Sequence, residues 1–67
     1  MKLVKFKDDI LDGKYGKHYP FSIHQKFVML GEIANMPGHC VISDYRTGHI
    51  YSGYHTDDFK EISEDEV

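Results

Sequence analysis

The chain has a single cysteine, no tryptophan and two prolines, and no apolar run comes near the ~20 residues that a membrane-spanning helix requires. With Cys40 alone, an internal disulfide is excluded and a reducing compartment suits the chain. Behind Met1-Lys2 there is no apolar stretch of about 7–15 residues, so no secretory signal is expected and a cytoplasmic location is. What is there suits one small soluble domain: 67 residues, 40% hydrophobic and 28% charged. A domain this size buries only about 60% of the surface of its unfolded chain, so self-association would help it.

The net charge of −3 is unevenly spread. Residues 1–26 carry six lysines against three aspartates, whereas residues 27–67 carry two basic against eight acidic groups. Most of the acid lies in Asp57, Asp58, Glu61, Glu64, Asp65 and Glu66, which reads as a solvated C-terminal end. The balance repels phosphate backbones on the whole, although Lys2, Lys5, Lys7, Lys14 and Lys17 offer a local basic group. Lys5 and Lys7 alternate with Val4 and Phe6, the pattern of an edge strand with its lysines outward.

Periodicity predicts a first strand over 2–7 with Val4 and Phe6 inward, ended by Asp8-Asp9. Residues 12–21 hold Gly13, Gly16 and Pro20 among Tyr15 and Tyr19, which predicts a long loop pinned by Ile10 and Leu11. The run 27–33 is apolar at nearly every position, as in a strand covered on both faces, one of them by a partner. Pro37-Gly38 predicts a type II turn, and a hairpin of 39–44 with 49–55 follows, closed by Gly48 at positive φ. Residues 55–59 predict one 3₁₀ turn capped by Thr56, which returns Phe59 to the core before a last strand at 60–62.

This order of strands and loops resembles the SH3-like barrel over nearly the whole chain. The resemblance implies an all-β fold, a small barrel of about five antiparallel strands with a long first loop and one short 3₁₀ turn. It covers a single domain at 1–63, with an acidic tail at 64–67. Peptide-binding SH3 domains carry an acidic-aromatic first-loop motif, paired tryptophans and a Pro-Ser-Asn-Tyr corner. Here those are missing, and Thr56-Asp57-Asp58-Phe59 stands at the corner, so the resemblance implies a fold rather than proline-rich peptide recognition.

Five histidines invite a metal reading that strand geometry weakens, since neighbours such as His39 and Cys40 point to opposite faces. If Ser43 pairs with His49, then His39, Val41, His49, Tyr51 and His55 share one face as a surface cluster; no metal or other cofactor is expected. Cys40 reads as a small buried hydrophobe beside Ile42, its would-be base His39 facing away. Asp57 and Asp58 read as corner and cap residues, so an enzyme is not expected. Tyr54, in phase with Ile50, is expected in the core and Tyr51 at the surface. The candidate binding residues are therefore Tyr15, Tyr19, Tyr45, Tyr51, His49 and His55, rigid amphipathic side chains suited to an extended peptide. The expected function is protein–protein interaction by a small binding module, in the style of a bacterial or phage accessory protein and with a homo-oligomer as an option. The alternative is nucleic-acid association through the N-terminal lysines and surface tyrosines.

Overall fold

A computed structural model describes residues 2–11 and 19–66. The chain is all-β: β1 (Lys2–Phe6), β2 (Phe27–Glu32), β3 (His39–Asp44), β4 (Ile50–His55) and β5 (Phe59–Glu61) form one antiparallel sheet in the order β4-β3-β2-β1-β5. Single helical turns lie at α1 (Asp8–Leu11) and, in 3₁₀ form, at Thr56–Asp58 and Glu64–Glu66. Tyr15, with the rest of 12–18, lies outside the described residues.

Alternation decides which side chains meet. Val4 and Phe6 of β1, Phe27 of β2, and Cys40 and Ile42 of β3 are all buried on one face. Ile10 from α1 and Phe59 from β5 complete that core, as the sequence leads one to expect. Phe6 is its hub, with ring centroids 5.1 Å from Tyr19, 5.1 Å from Phe21, 5.6 Å from Phe27 and 4.3 Å from Phe59. It also lies 5.6 Å from Tyr54. β1 and β4 are separated by two strands, which in a flat sheet would hold them roughly 14 Å apart. The Phe6–Tyr54 contact thus means that the sheet curls around its inner face, and the architecture is compatible with an SH3-like fold.

The turns form where proline and glycine place them. The His39 amide donates to the Met36 carbonyl at 3.0 Å and Gly38 takes φ 78°, as a type II turn over Met36-Pro37-Gly38-His39 requires. At the next turn Gly48, also at φ 78°, donates to the Asp44 carbonyl at 2.9 Å. Asp44 Oδ1 accepts from the Arg46 and Thr47 amides at 2.8 and 2.9 Å, so its carboxylate wraps the loop from inside.

Several expectations are corrected. β1 is not an edge strand, since β2 pairs on one side and β5 on the other; three residues from the chain end suffice to cover it. β2 stops at Glu32 and is covered on both faces only near Phe27: Leu30 is the extra residue of a bulge between Met29 and Gly31 and is 43% exposed. Ser43 pairs with Ile50, not His49, and a second bulge adds Gly53 between the pairs Val41–Ser52 and Cys40–Tyr54. Gly53 takes φ 90° there. The bulge lets Tyr51 and Tyr54 both pack on the core and sends Ile50 outward, reversing the phase expected for Tyr51 and Ile50. Thr56 lies inside the 3₁₀ turn, whose N-cap is His55 with no side-chain cap bond. Asp58 belongs to the interior rather than to a solvated tail.

Candidate functional site

The inner face is filled by the core, which leaves the outer face to meet a ligand. There, Leu3 pairs with Val28, Val28 with Ser43 and Ser43 with Ile50, one residue from each of β1 to β4. This row is apolar except for one hydroxyl, and it ends on Ile50, which is 62% exposed. Leu30 lies next to it on β2. β4 is the long edge of the sheet, and its sequence Ile-Tyr-Ser-Gly-Tyr-His carries no Lys, Asp, Glu or Pro. The opposite edge, β5, has three residues, two of them charged. Short charged edges are protected against pairing and long uncharged ones are not.

A second row runs beside the first. Lys60 pairs with Lys5, and the β1–β2 register, continued one residue past Val4–Phe27, sets Lys26 next to Lys5. The Tyr45 amide donates to the Lys26 carbonyl at 2.9 Å, bringing Tyr45 alongside. The row ends in a cleft of about 640 Å³ between residues 22–26 and the 44–47 turn. Lys26, Arg46, His24 and the half-exposed ring of Tyr45 line it. Its one carboxylate is already engaged: Asp44, only 7% exposed, accepts from Gln25 Nε2 at 2.6 Å as well as from the two loop amides. The Gln25 bond, then the Thr47 and Arg46 amides, hold that carboxyl below its usual pKa despite its burial.

The other predicted residues do not converge. Tyr19 is a core-facing residue whose hydroxyl donates to Asp58 Oδ2 at 2.7 Å. Burial, the Asp58 hydrogen bond and the Asp58 and Tyr54 charges push the phenol up to about 12. Tyr51 is half-buried against Phe21 and Phe27, with the exposed His49 ring 4.7 Å from it. His55 sits at the far end of β4 beside His39, their ring centroids 4.1 Å apart. Tyr45 alone of the described candidate tyrosines is a surface residue. Burial, then Glu32 and Asp58, raises the Cys40 thiol pKa. Leu30 lies within the 27–33 run expected to meet a partner, whereas Ile50 and the row of Lys60, Lys5 and Lys26 were not anticipated; the signal for Ile50 was Gly53, a glycine inside a strand pattern.

Compared with known proteins, the chain matches no family model, no curated protein and no solved structure.

Proposed function

We propose that this chain is a non-enzymatic, SH3-like module that binds another protein through the outer sheet face and the β4 edge. The observation that carries the reading is the row Leu3, Val28, Ser43 and Ile50, which runs across four strands and ends on an uncharged edge strand. An added strand from a partner would take main-chain hydrogen bonds from β4 and cover Ile50 with its side chains. The strand order and the curl of the sheet support the SH3-like assignment. Cys40 does not serve this reading as a nucleophile: a buried thiol with a raised pKa holds little thiolate at neutral pH. A cytoplasmic accessory role fits its lone reduced cysteine, and no described helix is long and apolar enough to cross a membrane.

Native mass spectrometry of the protein isolated gently from its source lysate, with and without nuclease, tests this. A discrete protein mass above the chain, indifferent to nuclease, supports the reading; a bare chain, or added mass that nuclease removes, counts against it. A whole multiple of the chain would make the partner a second copy.

A second reading, nucleic-acid association, rests on the row Lys60, Lys5 and Lys26 and its end in the cleft with Arg46 and Tyr45. It requires affinity to fall steeply with salt, by a slope near 0.9 per phosphate neutralised on duplex or ~0.7 on single strands. An apolar protein interface lacks that slope.

A further inference from the structure

We infer that His39 and His55 form a two-imidazole chelate for a borderline divalent transition ion, with Zn²⁺ as the test ion. The inference is independent of which macromolecule the outer face binds.

His39 and His55 are directly opposite on β3 and β4. The Thr56 amide donates to the Gly38 carbonyl at 2.8 Å, which makes the adjacent His39–His55 pair a non-hydrogen-bonded one. In such pairs the Cα atoms approach to about 4.5 Å and the side chains stand closest, which is why the ring centroids are only 4.1 Å apart. Two nitrogens on one tetrahedral zinc lie roughly 3.3 Å apart, given bonds of ~2.05 Å. Rings this close need only small side-chain rotations to present both.

The tautomer of His39 is set for ligation. Its Nδ1 lies 3.1 Å from the Pro37 carbonyl oxygen, and a carbonyl can only accept, so Nδ1 carries a proton and in the neutral ring it is Nε2 that offers the lone pair. The Pro37-Gly38 turn thereby acts as the outer support that metal-bound histidines ordinarily have. Both positions are at least partly open to solvent, so an ion has an entry path. No group of three or more His, Cys, Asp and Glu gathers among the described residues, so from these the site supplies two ligands and leaves the remaining coordination positions open to water.

The test is a Zn²⁺ titration of the full chain followed by NMR of the imidazole nitrogens. The expected result is saturation at one ion per chain, with the signals of His39 Nε2 and of one His55 ring nitrogen moving together and those of His24 and His49 staying still. Because the second ligand binds intramolecularly, H39Q and H55Q should each weaken binding on the order of a hundredfold, while H49Q leaves it unchanged. The inference is overturned if no saturable site appears, if only one of the two rings responds, or if the variants bind as tightly as the parent. Should H39Q not fold, the ring spectra of the unmodified protein decide alone.

Discussion

Tyr51 and Tyr54, three positions apart on β4, both pack on the aromatic core, which a regular strand would forbid because residues three apart face opposite sides. Gly53 resolves the conflict as the extra residue of the bulge, at φ 90°. No atom would meet a Cβ there within 4 Å, so G53A tests backbone conformation alone. It should cost about 1–2 kcal/mol, seen as a lower denaturation midpoint at unchanged m-value.

Tyr19 Oη donates to Asp58, a residue 4% exposed. Y19F keeps the ring against Phe6 and removes that bond, with an expected loss of about 1.5–3 kcal/mol, as for a hydrogen bond to a charged group. The folded phenol is raised to about 12 from 10.0. Its contribution is therefore complete below pH 10 and is lost as pH rises toward 12, and the alkaline fall in stability should shrink in Y19F.

The Asp44 carboxyl is depressed in the fold, chiefly by Gln25. The sign is opposite to that of Tyr19: its contribution is present above the ordinary carboxylate pKa of about 4 and is lost as pH falls below it. D44N should flatten the acid limb of stability against pH. At neutral pH, D44A should cost about 1–3 kcal/mol, since it removes three hydrogen bonds to a charged carboxylate whose donors, on Gln25, Arg46 and Thr47, are only partly buried.

Lys5 and Lys60 are directly opposite, a like-charge pair that a sheet ordinarily avoids. K60E should stabilise the protein by about 0.2–1 kcal/mol in thermal or urea unfolding at low salt. Under the protein-binding account it leaves partner affinity nearly unchanged, whereas under nucleic-acid association it weakens binding and lowers the salt slope.

Legibility followed local chemistry. Pro37-Gly38 and Gly48 announce their turns because a single residue's φ decides each, and Cys40 with Ile42 announce the inner face through simple alternation. Bulges escaped because period-two reasoning carries no allowance for an extra residue: Leu30 and Gly53 each shift the phase after them. The edge assignment of β1 failed because Lys5 faces outward whether or not β5 covers the strand. The row as a whole was hidden too, since Leu3, Val28, Ser43 and Ile50 line up only once three registers are known.

The central claim is that the outer face and β4 edge receive a protein. Photo-crosslinking in the source cells tests it most directly, with a photoreactive side chain placed at Ile50, at Leu30 or, for comparison, at Arg46. The account predicts one discrete protein adduct from positions 50 and 30, insensitive to nuclease, and lost when the row is broken by V28K. V28K should leave the fold intact, since Val28 faces outward. Adducts from position 46 alone, or none from 50 and 30, would contradict it.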